Sequence, residues 1–443
     1  MNETRNAASA ALLKRIAQEQ PDGAQAPAGP VGAVGTGSQV RRRRALESLL
    51  RRGLPSSRDE NWRYANLRPL ERVRFAPPAT PDASENVTLP APIAGFVRYV
   101  FVDGVFAAAL SGATAAQSGV RFDSLGSAAE ENAPDSEVDA PDTEFALLNE
   151  AFATDGARIV VPADASAALE IVFVARTAAE RGASYPRLHV HAGRHSALQL
   201  IERHVSATQE ASFVTAAASI SLAEAARLDH YRVQELAPRA LFLDTLSATL
   251  ARGAIYRLRA VSLGAQSARS TLKVRLEGED AQLELDAVGV GDRQQVHDTY
   301  AVVEHAAVRT RTQESFRGIA SARSRLAFNG KIIVHPGAHK ADSSQSLRGL
   351  LAGPEAEIDV RPQLEIYTDD VRCHHGATAG KLDDTMLFYL LSRGIEPATA
   401  RQLLQWAFLE DVVARIAVPE LRRQIEQSLA GQMRESDALK ELI

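Results

Sequence analysis

The sequence predicts a mainly β protein: a parallel β-solenoid with helical segments before and after it. Short runs of alternating apolar and polar residues recur from about Arg187 to Arg372. They recur at a nearly constant interval: the alanines that open them, at 197, 226, 254, 281 and 307, step by 29, 28, 27 and 26 residues. After Gly380 the alternation stops and apolar residues fall at helical spacing. Alternation with a period of 20 to 50 residues marks stacked strand units, each burying its inward side chains on its neighbours. Hairpins also produce alternating runs, so a twisted β-sandwich is the competing architecture.

Composition narrows the function classes. A chain of 443 residues supports a large core and two or three parts. A net charge of −5 supplies no general field for nucleic acid. No apolar run reaches the roughly 18 residues of a membrane span, and Met1 to Arg5 lacks a signal-peptide core. A single cysteine, Cys373, excludes an internal disulfide and fits a reducing compartment. The expectation is a cytoplasmic protein that binds neither nucleic acid nor membrane.

From the N-terminus, residues 5 to 19 carry Ala11, Leu12, Ile16 and Ala17 at helical spacing. Residues 20 to 40 are rich in Gly, Ala and Pro and read as a flexible link. Arg41 to Arg44 open a second helix with Leu46, Leu49 and Leu50 on one side; the arginines read as its solvated face rather than an anion site. Glu60-Asn61-Trp62-Arg63-Tyr64 reads as an aromatic anchor, for the protein's own core in preference to a partner. Acidic residues 127 to 144, broken by Pro134 and Pro141, read as a surface loop. Glu357-Ile358-Asp359-Val360 repeats the strand pattern late in the chain. Asp383 and Asp384 then suit a helix start and Gly394 a stop; Pro397 and Pro419 open two more amphipathic helices. These helices are expected to cap one end of the solenoid or to dock on a partner.

The chemistry-bearing residues concentrate in Asp369 to Thr378, where Cys373 stands beside two of the 11 histidines, His374 and His375. On a strand, Cys373 and His375 point one way and His374 the other. Asp369-Asp370 and Gly376-Ala377 suggest a short strand between turns. A thiolate beside an imidazole suits zinc, copper or iron–sulfur chemistry. The alternative is a buried cysteine acting as a small hydrophobe. His335 and His339 have H-x₃-H spacing but lie around a Pro-Gly turn. His189 and His191 read as an outer strand face, and Asp298, Thr299 and His305 as polar ladder residues. No GxxxxGK[ST], strand-to-helix GxGxxG, GxSxG, HExxH or CxxC is present. The chain therefore carries no P-loop for ATP, and a metal at Cys373 needs ligands from a second chain or from histidines and carboxylates. A polysaccharide-cleaving β-helix enzyme would need carboxylates clustered in one groove, which the sequence does not display.

The chain resembles the SufB/SufD family of iron–sulfur assembly proteins. The resemblance begins at Gly53-Leu54-Pro55 and Glu60 to Tyr64, continues at Leu147 to Phe152 with Asp155-Gly156, and runs through Phe328-Asn329-Gly330-Lys331-Ile332. It then takes in Cys373-x-His375-Gly376-Ala377-Thr378-x-Gly380 and Phe388 to Ile395. Within the family the SufD branch is the better match. SufB-like chains would carry a cysteine near Gly353 to Val360 and a carboxylate where Gly376 follows His375.

The resemblance implies a right-handed parallel β-helix over 96–378, an N-terminal helical region over 1–95 and a C-terminal helical domain over 379–443. It implies an assembly subunit rather than an enzyme, pairing with a SufB-like paralogue while a SufC-like ABC ATPase hydrolyses ATP. His375 and Cys373 become candidate ligands for iron or a transient cluster shared with SufB. Phe388, Tyr389, Arg393 and Gly394 become candidate SufC contacts. Complexes of the family are associated with a flavin, for which no motif is visible here. An unpaired solenoid edge also suits a homodimer of the isolated chain. The competing reading is a purely structural SufB partner without an iron ligand.

Overall fold

Strand propensity and alternation between residues 157 and 380 resolve into two parallel ladders. The computed structural model describes residues 12–16, 18, 36–75, 87–112, 120–125, 142–176 and 182–433. One ladder stacks Ser166–Ala175, Ala197–Ser206, Arg227–Glu235, Ile255–Ser262, Gln282–Gly291, Arg311–Ala320, Ala341–Leu351 and Val371–Gly380. The other stacks Ala157–Val161, Arg187–Ala192, Phe213–Leu222, Leu241–Leu250, Ser267–Leu276, Val296–His305, Arg325–Val334 and Glu357–Ile366. From Ala157 onward the chain alternates between the two, so each coil contributes one strand to each sheet. Every pair in these two stacks is parallel, which hairpins cannot produce, and the architecture is a β-solenoid. Among the described residues, antiparallel pairs occur only at the N-terminal edges, between Val97–Val102 and Val105–Phe106 and between Arg121–Ser124 and Ala157–Val161.

The repeating signal marks a corner. Asp164, His195, Ala225, Gly253, Asp280, Arg309 and Lys340 all have φ between 55° and 63°. Each donates its N–H to a carbonyl of the next coil at 2.5 to 3.2 Å. The residue after each corner, from His195 on, is small and buried: Ser196, Ala226, Ala254, Ala281, Thr310, Ala341. This column steps by 30, 28, 27, 29 and 31 residues, correcting the shrinking interval read from the alanines. Ala197 is one residue late, Ala307 lies ahead of its corner, and Glu357 to Val360 belongs to the other sheet.

Inward side chains of both sheets form one continuous core, including Leu200, Leu258, Leu285, Leu246, Val274 and Phe328. The outer face of the second sheet is covered by helices Thr36–Arg52 and Glu144–Phe152 and by Trp62, packed over Phe213, Leu241 and Leu243. Trp62 is thus the self-packing anchor expected: its Nε1 donates to Asp142 Oδ1 at 3.0 Å and its ring lies 4.4 Å from the Arg269 guanidinium. The helical stretch 12–16 packs into the same cluster. Most of the Gly/Ala/Pro link and of the acidic stretch lies outside the described residues.

The C-terminal helices Pro397–Val413 and Pro419–Gln432 do not cap an end. They lie along the first sheet, with Leu409, Val412, Ile416, Leu421, Ile425 and Leu429 against Val233, Val261, Val288, Val290 and Ile319. Those valines and that isoleucine point outward from their strands, and the apolar stripe they form requires a cover. Helix Asp384–Ser392, capped by Asp383 through Thr385 N (2.7 Å) and Met386 N (3.1 Å), buries no residue. Among the described residues the far end of the solenoid therefore stops at two strands, Glu357–Ile366 and Val371–Gly380, each paired on one edge only.

Candidate functional site: the open end of the solenoid

The Cys373 run forms the last rung of the first sheet. Its strand runs through Gly376 and Ala377 to Gly380, longer than the short strand expected, because the register with Ala341–Leu351 is set by backbone groups. Ser343 is the register partner of Cys373, Gln345 of His375 and Leu347 of Ala377. Those three partners are buried inside the coil, so Cys373 and His375 share the inward parity. Cys373 packs partly against the core, whereas His374 and His375 are exposed. No further coil covers them. Ile366 and Tyr367, 41% and 58% exposed, extend the same uncovered end.

The interior beneath this rung is polar. Column by column, Thr312, Ser343 and Cys373 stack in register, and so do Glu314, Gln345 and His375. Gln345 Nε2 donates to Glu314 Oε2 at 2.7 Å and to the Gly330 carbonyl at 3.0 Å. Burial pushes the Glu314 carboxyl up to about 7, against the smaller opposing effect of the Gln345 amide. His305 is enclosed nearby, its ring nitrogens bonded to Thr310 (2.8 Å) and Thr312 (3.0 Å), and burial lowers it to about 4.

The remaining predicted residues separate. His335 bonds Glu304 at 2.8 Å and His339 bonds Thr368 at 3.0 Å, so the H-x₃-H pair does not converge. His191 is exposed, while burial, then Arg187, lower His189 to about 3. Asp298 pairs with Arg269 beneath Trp62, and Thr299 and His305 face inward. Phe388 and Tyr389 are 70% and 56% exposed on the uncovered helix. Arg393 lies 5.0 Å from the Tyr389 ring and bonds its hydroxyl at 2.9 Å, and Gly394 ends the helix at φ 81°. Among the described residues no three His, Cys, Asp or Glu side chains converge as a metal site.

One cluster escaped the sequence reading. Inside the coil, Glu202 accepts from His204 (2.7 Å), His230 (3.0 Å) and Arg232 (2.9 and 2.7 Å). Arg232 also donates to Asp244 at 2.8 and 3.0 Å. Burial would raise the Glu202 pKa, but Arg232 and the two histidines hold it well below the usual carboxylate range. A cavity of about 50 Å³ adjoins this cluster, lined by His204, Arg232, Asp244 and His297, with room for water. The signal was present in the alternation, since His230 and Arg232 continue the inward parity of Leu228, and Glu202 and His204 that of Leu200.

The family model described as SUF system FeS cluster assembly, SufBD core domain, matches residues 173–408. The iron–sulfur cluster assembly protein SufD of Escherichia coli is 30% identical over 401 residues, covering 89% of this chain and 92% of the relative. An iron–sulfur cluster assembly SufBD family protein of Synechocystis is 27% identical, covering 85% of this chain and 87% of its own. A chloroplastic protein of Arabidopsis thaliana is 24% identical over 87% of this chain and 84% of its own.

Proposed function

This chain belongs to the SufB/SufD family of the SUF iron–sulfur cluster assembly system, most like its SufD members, and from that premise we propose that it is a scaffold subunit without enzymatic activity of its own. Its role is in iron–sulfur cluster assembly. In this reading the open end of the solenoid pairs with a SufB-like paralogue. A SufC-like ABC ATPase docks on the exposed helix Asp384–Ser392, with Phe388 and Tyr389 as anchors and Arg393 and Gly394 at the rim. Nucleotide-driven movement of the ATPase strains the paired solenoids and opens their shared edge. Iron enters there as cargo, His375 contributes an imidazole and Cys373 a thiolate, and the paralogue supplies the other ligands and the sulfur.

The observation that carries this reading is the position of His375: inward by parity, on the last rung, and uncovered. A histidine there becomes buried only when a partner closes the end. That no three possible ligands converge among the described residues favours a second reading, a structural SufB partner that holds no iron. His375→Ala in the co-expressed assembly separates the two. With the complex intact, loss of iron supports ligation, and unchanged iron and cluster content leaves the structural role. Tagging this chain alone and recovering the untagged paralogue and ATPase tests the partnership itself.

A further inference from the structure

We propose that Gln345 is a positioning residue that fixes the orientation and tautomer of His375, with Glu314 locking Gln345 in turn. The inference rests on the reading of His375 as an iron ligand and adds two buried residues to that site.

Gln345 is 3% exposed, and both groups that face its Nε2 are acceptors, Glu314 Oε2 at 2.7 Å and the Gly330 carbonyl at 3.0 Å. The amide therefore cannot flip without placing oxygen against oxygen. Its Oε1 is left as a buried acceptor with no partner among the described residues. A buried acceptor without a partner is costly, so a donor there is favoured. The next inward side chain along the column is His375, one rung away, at a strand spacing of about 4.8 Å. An imidazole turned inward by a covering partner places a ring N–H within reach of that oxygen. Donation from one nitrogen leaves the other with its lone pair outward, the state an iron ligand requires.

The sequence is shaped around this arrangement. A Cβ on Gly330 would lie 2.7 Å from Gln345 Nε2 and 2.8 Å from Glu314 Oε2, so a side chain there would push the pair out of this arrangement. Gly330 belongs to the Asn-Gly-Lys-Ile block of the family resemblance, and its place there acquires a physical reason.

The test uses the full-length chain in its purified assembly with the paralogue and ATPase, with ferrous iron as probe and a chromophoric chelator as competitor. Gln345→Met removes the acceptor at similar volume and should weaken iron binding about 10–100-fold while the assembly still co-purifies. Gln345→Glu keeps an acceptor toward His375 but gives up the amide donor to the Gly330 carbonyl, so it should bind iron less tightly than the native chain yet at least about threefold more tightly than Gln345→Met. Native affinity in Gln345→Met, in an assembly where His375→Ala has lost its iron, overturns the role of Gln345 and leaves the His375 reading standing. Equal losses in Gln345→Met and Gln345→Glu also overturn it, because packing alone would then explain both. If His375→Ala itself leaves iron affinity unchanged, the ligand reading fails and this inference falls with it. Should Gln345→Met not assemble, Gln345→Leu takes its place in the same comparison.

Discussion

Arg232 grips Glu202 with two hydrogen bonds, 2.9 and 2.7 Å long, inside a coil whose other contents are largely apolar. The same guanidinium holds Asp244, so one cation serves two buried carboxylates. Removing it strands both. Arg232→Met should cost about 3–5 kcal/mol, the usual penalty for leaving a buried ion without its partner. Urea denaturation of the full chain measures this as a lowered midpoint at unchanged slope. A loss below about 1 kcal/mol would mean that the histidines alone satisfy Glu202.

The interior also makes stability depend on pH in two opposite senses. Burial lowers His297 and His305 to about 4 each, so the folded state keeps them neutral while the unfolded chain takes up protons below about 6.5. Their contribution is complete above that pH and is lost progressively as pH falls toward 4. Glu314 behaves in reverse: its folded value is raised to about 7, so stability is full below the unfolded carboxyl value and is lost as pH rises through 7. Glu314→Gln should therefore be more stable than the native chain at pH 8 by about 1–3 kcal/mol, with the difference vanishing by about pH 4. Thermal midpoints across that range decide it, and a constant difference at all pH values would sink the assignment.

The solenoid was legible because its corners repeat. The left-handed residue and the small residue behind it recur in every coil, and the alternation of each strand follows. What stayed hidden was the second sheet's phase and the flank position of the C-terminal helices. Both depend on which outward positions of distant strands share an apolar stripe, as Val261, Val288 and Ile319 do. At the site, the shared face of Cys373 and His375 followed from period two. Their neighbours Gln345 and Glu314 did not, since the step from one rung to the next is 30 residues from Gln345 to His375 and 31 from Glu314 to Gln345.

Trp62 ties the N-terminal segment to the solenoid through one stacked cation. Its ring and that of Tyr300 lie 4.4 and 5.2 Å from the guanidinium of Arg269, a fully buried residue whose counter-ion is Asp298. Trp62→Ala removes the ring, its contact with Phe145 at 5.2 Å and the bond to Asp142 together. A loss of about 3–5 kcal/mol is expected, with faster proteolysis around residues 54–73. Trp62→Phe should recover most of it, the remaining deficit reporting the lost N–H donor to Asp142.

The exposed helix makes the sharpest separation between folding and partnership. Phe388 and Tyr389 have little to lose on truncation in the isolated chain, being 70% and 56% exposed with no buried neighbour in their own helix. Phe388→Ala and Tyr389→Ala should each leave the thermal stability of the isolated chain within about 0.5 kcal/mol of native. In the assembly the same side chains would be aromatic anchors, whose truncation typically costs 2 kcal/mol or more of binding, roughly thirtyfold in affinity. On the proposed docking, co-purification of an ABC ATPase with the tagged double variant should fall accordingly, while a SufB-like paralogue paired at the open end should stay. Retention of the ATPase at native yield by the double variant would place its docking surface elsewhere. Loss of both partners together would mean that the helix supports the open end rather than a separate contact.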